Sequence, residues 1–204
     1  MLNIGIVVLA AGGSTRLGTP KQLIKGPDGI SLIRIVCTLI NSIECKQKWI
    51  VLGANHESIQ SELHGIEIPV IINPEWKSGI ASSIKIAVEV LTKKNDLDGL
   101  MFVVCDQPYL NKKILDAILY TFQNTSRYIV ASKYKDVLGT PALFHSSFFP
   151  ELLKLSGDKG AGKIIYENLS QTAIIRFEEG IVDIDTREDY NRYLDSKIGQ
   201  SDDL

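Results

Sequence analysis

The chain has 204 residues, of which 45% are hydrophobic and 23% charged, and its formal net charge is −2 at pH 7. This balance predicts a globular chain with a substantial core and argues against a general nucleic-acid-binding or membrane-binding surface. Three cysteines without a C-x-x-C spacing indicate neither a disulfide framework nor a cysteine zinc site. Because no secretory leader pattern and no apolar stretch of membrane-spanning length is found, we expect a cytoplasmic protein.

Apolar runs alternate with helix-like patterns along the chain, which favours βαβ units and a mostly parallel sheet. Eight strands are predicted, at residues 4–9, 49–53, 70–72, 100–105, 128–132, 142–145, 173–177 and 182–184. Five helices are predicted, at residues 31–43, 82–91, 111–122, 159–168 and 187–195. The predicted fold is α/β with a doubly wound, Rossmann-like sheet that binds ligands at the carboxyl ends of its strands. Residues 1–196 are expected to form a single domain and residues 197–204 a flexible tail.

The loop after the first predicted strand is the most informative segment. Residues 8–23 read V-L-A-A-G-G-S-T-R-L-G-T-P-K-Q-L. Gly12 and Gly13 allow backbone conformations and close approaches that a side chain would block. Loop amides can then surround phosphate oxygens, while Arg16 and Lys21 supply charge-assisted contacts. A basic, glycine-rich loop in this place predicts the binding of a nucleoside triphosphate.

Two commoner phosphate-binding loops do not match this segment. Gly13 and Gly18 have the spacing of a P-loop, but Thr19 follows where a lysine is required, and Lys21 comes two positions late. The Rossmann fingerprint G-x-G-x-x-G is also absent, because Gly12 and Gly13 are adjacent. An ordinary glycine-rich turn between a strand and a helix remains the structural alternative.

The opening loop and four later segments resemble one known group of enzymes. The pattern L-A-A-G-x-x-x-R-x-G-x-x-K-Q-L is similar to the signature of the sugar-nucleotidyltransferase-like superfamily. Within it the chain most resembles the molybdenum cofactor cytidylyltransferase family, since related guanylyltransferases carry L-A-G-G where this chain has Ala11 in L-A-A-G. The resemblance implies a nucleotidyltransferase fold and Mg²⁺-dependent transfer of CMP from CTP to the terminal phosphate of molybdopterin or molybdenum cofactor, with release of pyrophosphate.

The same resemblance implies roles for the residues of the opening loop. The residues implied to bind the nucleotide are Leu9, Ala10, Ala11, Gly12, Gly13, Arg16 and Lys21. Arg16 and Lys21 are also implied to be catalytic, because they would stabilise the transition state. Isoprenoid-pathway cytidylyltransferases share this opening, but their H-D-x-x-R-P motif has no counterpart at Asp106.

Asp106 follows an apolar strand and is therefore expected at the carboxyl edge of the sheet. Nucleotidyl transfer needs Mg²⁺ to bridge phosphate oxygens, and this ion prefers one or two protein carboxylates. A turn or helix-capping role before the helix at 111–122 is the alternative. The match of residues 106–108 to the family's D-Q-P motif favours a metal-binding, catalytic Asp106.

A second carboxylate is expected near residues 180–190. Asp183 and Asp185 are two residues apart, so both project from one face if the segment is extended. The segment resembles the family's D-x-D-T-P-E-D-L ending, with Arg187 in place of the usual proline. By that resemblance Asp185 is the better second metal ligand and Asp183 the weaker candidate. Capping of the following helix by Asp185 or Thr186 is the alternative.

Residues 73–84 resemble the family's N-P-x-x-x-x-G-x-x-x-S-[LI] segment. The resemblance implies that Asn73, Gly79 and Ser83 recognise the nucleoside, with Ser82 nearby. A helix start also presents free backbone amides to a ligand. A turn at Asn73 and a helix cap at Ser82 form a structural alternative that is compatible with nucleoside contact.

Two segments resemble regions that bind the acceptor in this family. Gly139 and Pro141 match G-x-P-x-x-F, and the residues that match L-x-G-D-x-G-x-R are Gly157, Asp158 and Gly160. Gly162 stands where the family has arginine, so the identity of the acceptor is left open. Residues 138–162 are expected to form a small acceptor-binding lobe, although a surface loop is the simpler interpretation of its glycines.

The expected partners are CTP and a phosphorylated pterin, with a molybdoenzyme or its maturation factor as a further possibility. Neither nucleic acid nor a membrane is expected as a partner. A non-catalytic nucleotide-binding maturation factor is an alternative of another class, and guanylyl transfer or a different phosphorylated acceptor is a closer one. An NAD-dependent oxidoreductase is disfavoured by the glycine spacing of the opening loop.

Overall fold

The computed structural model describes residues 2–14, 17–45, 47–93 and 95–198. Their strands form one seven-stranded sheet in the order β3-β2-β1-β4-β6-β5-β7. The strands are β1 Ile4–Ala10, β2 Gln47–Leu52, β3 Val70–Ile72, β4 Gly99–Val104, β5 Ile129–Tyr134, β6 Val137–His145 and β7 Thr172–Arg176. Only β6 runs antiparallel to its neighbours β4 and β5 within this sheet. The predicted α/β fold with a mostly parallel sheet is confirmed.

Seven α-helices accompany the sheet in the described ranges. They are α1 Leu32–Asn41, α2 His56–Glu62, α3 Ile80–Thr92, α4 Lys112–Asn124, α5 Phe149–Leu152, α6 Gly162–Glu167 and α7 Arg187–Ile198. Helices α1 and α4 begin at side-chain caps: Ser31 accepts from the N–H of Arg34, and Asn111 from that of Ile114. Such caps satisfy amides that the first turn leaves without intrahelical partners. No helix in these ranges is long and apolar enough to cross a membrane.

Helices cover both faces of the sheet. Alternate residues of β1 contribute to two separate clusters of buried apolar side chains: Ile6 and Val8 pack with α1 and α4, whereas Val7 and Leu9 pack with α3. All seven residues of β1 are therefore buried. A parallel strand that is covered on both faces has a nearly continuous apolar sequence. This explains the apolar run that forms β1.

The eighth predicted strand, at residues 182–184, is wrong. The chain forms a 3₁₀ turn at Glu178–Ile181 and then passes the end of β4 in an extended conformation. There the N–H of Ile184 donates to the carbonyl of Asp106 at 3.1 Å. Residues 182–184 are nevertheless not paired as a strand of the sheet. Ile184 is fully buried in a small cluster with Ile24, Leu32 and Tyr193. The apolar alternation of this segment reflects that local packing and not a place in the sheet.

Two helices were not predicted, and two segments differ from expectation. In α2 only Ile59 is buried, and α5 has only four residues, so neither carries a clear apolar stripe. The first part of the expected lobe, residues 138–145, belongs to β6, and the rest runs through α5 to α6. Helix α7 continues to Ile198, two residues into the expected tail. Residues 199–204 lie outside the described residues.

Candidate active site

A cavity of about 480 Å³ opens at the carboxyl ends of β1 and β4. These strands are neighbours, with Leu9 paired to Val104, so the loops that follow them emerge side by side. The predicted site residues that line the cavity are Leu9, Ala10, Ala11, Gly12, Gly13, Lys21, Gly79, Ser83, Asp106, Asp158 and Asp185. Arg16 lies outside the described residues, so its role stays a prediction.

Lys21 connects two carboxylates in the lining of this cavity. Its Nζ donates to Oδ2 of Asp106 in a short ion pair and to Oδ1 of Asp185 at 3.0 Å. The exposed fractions of the Lys21 and Asp106 side chains are 18% and 17%. Burial is the largest single influence and disfavours the charged amine, but the attraction of Asp106 and the hydrogen bonds to Asp106 and Asp185 together raise the pKa of Lys21. The Lys21 amine therefore stays protonated and places a positive charge between the two aspartates.

Asp106 and Asp185 also meet the chemical requirements of a hard divalent cation. Each already gives one carboxylate oxygen to the same ammonium, so the pair is spaced to share a cation. Oxygen ligands of this kind suit Mg²⁺ and Mn²⁺, which take only one or two carboxylates when phosphates are present. No cluster of three or more potential ligands occurs in the described part of the chain. A cation held here would thus complete its coordination with substrate oxygens and water.

Asp183 lies beside this site on a second cavity, of about 360 Å³, and not on the first. Burial, followed by the nearby Asp106 and Asp185 carboxylates, raises the pKa of Asp183 to about 7. The extended segment therefore points Asp185, and not Asp183, toward Lys21. This placement agrees with the preference for Asp185, but a ligand role for either residue is still a proposal.

The raised pKa of Asp183 predicts a pH-dependent effect on stability. The unfolded chain releases this proton near the ordinary pKa of 3.8, whereas the folded chain keeps it up to about pH 7. The resulting stabilisation is present below pH 3.8 and is lost as the pH rises through 7. Asp183→Asn should therefore raise the free energy of unfolding at pH 8 relative to the wild type, with a smaller gain at pH 5.

Urea unfolding at pH 5 and pH 8 measures this difference. Asp195→Asn changes an exposed carboxyl on α7 in the same way and serves as the control. A difference between Asp183→Asn and wild type that does not change with pH would contradict the assignment.

Glycines let the opening loop and its neighbours approach closely. A Cβ added to Gly13 would lie 2.8 Å from Cζ3 of Trp76, and one added to Gly53 would lie 2.6 Å from Cβ of Trp76 and 2.8 Å from the carbonyl oxygen of Ala11. Trp76 lines the cavity. The indole thus occupies the space that side chains at Gly13 and Gly53 would need.

The predicted nucleoside residues divide into lining and supporting groups. Gly79 and Ser83 line the cavity, whereas Asn73 is 1% exposed and supports the start of α3. The Asn73 amide donates to the hydroxyls of Ser82 and Ser83 at 2.8 and 3.0 Å, and the Ser82 hydroxyl donates to the carbonyl of Gly79 at 2.8 Å. Asn73 therefore holds Ser83 in place from behind the cavity wall.

The predicted acceptor residues do not lie together. Gly157 and Asp158 pack on Gly79, whose φ is +94°, and a Cβ on Gly79 would lie 2.4 Å from Oδ1 of Asp158. This contact joins the 157–160 loop to the nucleoside segment, with Asp158 in the main cavity. Gly139 and Pro141 instead lie on β6, where Gly139 packs against the Tyr134 hydroxyl. Neither Gly139 nor Pro141 lines the main cavity.

Gly160 has a φ of +53° and lies in the 157–160 loop near Ile80. Gly162, where the family has arginine, begins α6. Gln22 is a cavity residue to which the sequence interpretation assigned no role. Its only sequence signal is its position inside the K-Q-L run, directly after Lys21.

Comparison with known proteins identifies the family to which this chain belongs. The MobA-like NTP transferase domain family matches residues 6–172. A probable molybdenum cofactor guanylyltransferase of Rhodopirellula baltica is 25% identical over 136 residues, which are 64% of this chain and 61% of that protein. The chain thus spans less than two thirds of the length of that relative.

Two further similarities extend the comparison. The nicotine blue oxidoreductase of Paenarthrobacter nicotinovorans is 26% identical over 161 residues, which are 76% of this chain and 78% of that protein. Rv0371C of Mycobacterium tuberculosis H37Rv, solved in complex with manganese, has a TM-score of 0.75 and 25% sequence identity, and the match covers 95% of this chain and 99% of that one. The fold, the cavity at the strand ends and the family match agree, and the chain belongs to the MobA-like NTP transferase family of nucleotidyltransferases.

Proposed function

We propose that this nucleotidyltransferase transfers CMP from CTP to the terminal phosphate of molybdopterin or molybdenum cofactor, with release of pyrophosphate. The observation that carries the proposal is the meeting of the glycine loop, Lys21, Asp106 and Asp185 at one edge of the sheet. The proposal assigns residues 1–196 to one catalytic domain, since all seven strands described here lie in one sheet.

The reaction needs alignment and charge neutralisation more than it needs a general base. The acceptor's phosphate monoester is already largely anionic at neutral pH, so it can attack the α-phosphorus of CTP directly. Lys21 and Arg16 would bind the triphosphate, and Lys21 would leave the carboxylates to do so. The loop amides and the two basic side chains would hold the α-phosphorus in line with the attacking oxygen.

Asp106 and Asp185 would hold Mg²⁺, which, when bound, supplies charge neutralisation at the phosphate oxygens. The carboxylate pair described above supports this assignment, and the mycobacterial relative was solved in complex with manganese. Manganese in that relative supports a divalent ion of this size. The choice of Mg²⁺ rests on the resemblance to the cytidylyltransferase family and is part of the proposal.

The choice of CTP rests on two sequence features. Ala11 stands where the guanylyltransferase pattern L-A-G-G has its first glycine, and Asp106 begins the D-Q-P motif. Ala11 lines the cavity and is 4% exposed, so it lies where the identity of this residue can bear on the nucleotide. Because the Rhodopirellula relative is named a guanylyltransferase, GTP is the direct competitor.

The proposed acceptor is a phosphorylated pterin. Gly157, Asp158 and Gly160 would border it from the nucleoside side, and Gly139 and Pro141 from β6. Gly162 stands where the family has an arginine that could pair with an acceptor phosphate, so this chain has no guanidinium at that position. A molybdoenzyme or its maturation factor is the proposed recipient of the product.

The test is pyrophosphate release with Mg²⁺, in which CTP, GTP, ATP and UTP are each combined with molybdopterin, molybdenum cofactor or no acceptor. We expect turnover with CTP and a pterin acceptor. Turnover with GTP instead would contradict the cytidylyl assignment but would still support nucleotidyl transfer to a pterin acceptor. CTP binding without pyrophosphate release on any acceptor would favour the non-catalytic maturation factor.

A further inference from the structure

Gln22 is a buried polar side chain in the 3₁₀ turn Lys21–Leu23, next to the lysine of the site. Only 1% of it is exposed, and burial of an amide is unfavourable unless hydrogen bonds replace its contacts with water. Its Nε2 donates to the carbonyl of Ala10 at 2.8 Å and to that of Gly12 at 2.9 Å. Its Oε1 accepts from the hydroxyl of Ser14 at 3.5 Å. The amide therefore spans the opening loop.

These contacts set the direction of the peptide groups in the loop. In a trans peptide, the carbonyl and the following N–H point in opposite directions. Because the carbonyls of Ala10 and Gly12 point at Gln22, the N–H groups of Ala11 and Gly13 point away from it. The carbonyl between them, that of Ala11, accepts from the N–H of Ala54 at 3.0 Å. Each carbonyl from Ala10 to Gly12 is thus held by the protein.

Gln22 directs the N–H of Gly13 through the carbonyl of Gly12, and Ala54 directs the N–H of Gly12 through the carbonyl of Ala11. Neither Gly12 nor Gly13 donates a backbone hydrogen bond to any residue that the structure describes, and both line the main cavity. Successive N–H groups without internal partners form a site for anions. If either held carbonyl turned into the cavity, its partial negative charge would face the phosphates.

We propose that Gln22 is a positioning residue for the triphosphate, because its amide holds two loop carbonyls away from the cavity and leaves the loop N–H groups for phosphate oxygens. This inference rests on the proposed function, since it requires a polyphosphate on the loop. Ser14 joins the network to Lys21, whose N–H donates to the Ser14 hydroxyl oxygen at 2.9 Å. The same contacts therefore hold the backbone of Lys21 in register with the loop.

Two substitutions remove the donors of Gln22 and keep the length of its side chain. Magnesium pyrophosphate is the probe, because it carries the phosphate groups of the reaction and no base. We expect Gln22→Met to weaken its binding by about 10-fold to 100-fold, since two carbonyls lose their partners. Gln22→Glu should weaken it further, because its carboxylate would face the carbonyls of Ala10 and Gly12. Isothermal titration calorimetry measures both affinities.

A second readout separates positioning from a general loss of structure. Both variants should bind Mn²⁺ without nucleotide within about twofold of the wild type, because the side-chain hydrogen bonds of Gln22 go to the opening loop and not to Asp106 or Asp185. The matched control is Thr172→Val, which removes a buried hydroxyl that donates to the carbonyl of Asn168 at 2.8 Å, at the start of β7. Its affinity for magnesium pyrophosphate should equal that of the wild type.

The outcomes are distinct. Weaker pyrophosphate binding with unchanged Mn²⁺ binding supports the inference, and if Gln22→Met does not fold, Ser14→Ala should give a smaller loss of the same kind. Wild-type pyrophosphate affinity in both Gln22 variants overturns it, as does equal loss of pyrophosphate and Mn²⁺ binding. If the wild type itself does not bind magnesium pyrophosphate, the proposed function fails, and the inference fails with it.

Discussion

Replacement of Asp106 by asparagine is expected to lower kcat/KM by about 10³-fold or more while the fold stays intact. The substitution keeps the size of the side chain but removes the negative charge that would hold the metal and that now pairs with Lys21. Loss of one preorganised electrostatic contact at a reacting phosphate costs about this much. Pyrophosphate release under saturating Mg²⁺ measures the rate, and circular dichroism with thermal unfolding checks the fold.

Asp98→Asn is the matched control, because Asp98 precedes the same strand β4 at its opposite end and accepts a hydrogen bond from the N–H of Asn3 at 2.7 Å. Its kcat/KM should remain within about twofold of the wild type, as for surface sites away from the reaction. Ordinary activity in Asp106→Asn would remove Asp106 from the metal site and from catalysis.

Lys21→Met is expected to raise the affinity for Mn²⁺ and to lower turnover. Without nucleotide, Mn²⁺ should bind about tenfold more tightly or better, since the ammonium no longer competes for the oxygens of Asp106 and Asp185. Turnover should fall by about 10²-fold to 10³-fold, because the triphosphate loses a charge-assisted contact. Paramagnetic titration of Mn²⁺ measures the first effect, and pyrophosphate release the second.

Lys112→Met provides the comparison, since Lys112 pairs with Asp116 on the exposed face of α4 at 2.7 Å. It should alter neither quantity. If Lys21→Met binds Mn²⁺ as weakly as the wild type, the carboxylates that hold the ammonium are not the ones that hold the metal, and Asp185 loses its proposed role.

The fold could be predicted where burial alone determines the pattern. Strands β1 and β4 are covered on both faces, so their residues form apolar runs that end at a glycine loop and at Asp106. Helix α2 escaped prediction because Ile59 is its only buried residue. At residues 182–184, one buried isoleucine in an extended segment produced the same alternation as a strand, and local patterns do not distinguish the two.

The candidate site could be predicted only in part. Parallel strand ends share one edge, so the meeting of the opening loop with Asp106 follows from the order of elements. The contact between Gly79 and Asp158 joins segments almost 80 residues apart, and no local pattern encodes it. Gln22 was missed for another reason, since a single polar residue in a loop has no periodicity. Only its burial and its hydrogen bonds to the opening loop indicate a structural role.

The ammonium of Lys21 also bears on how the chain reaches its folded state. Two carboxylates brought together without a counter-ion would repel each other, and in many small metalloproteins the metal must arrive before the fold is stable. Here the counter-charge belongs to the same polypeptide and takes its place as the elements assemble. If Asp106 and Asp185 hold the metal as proposed, the chain would not need that metal in order to fold, and it could be complete before nucleotide and metal arrive.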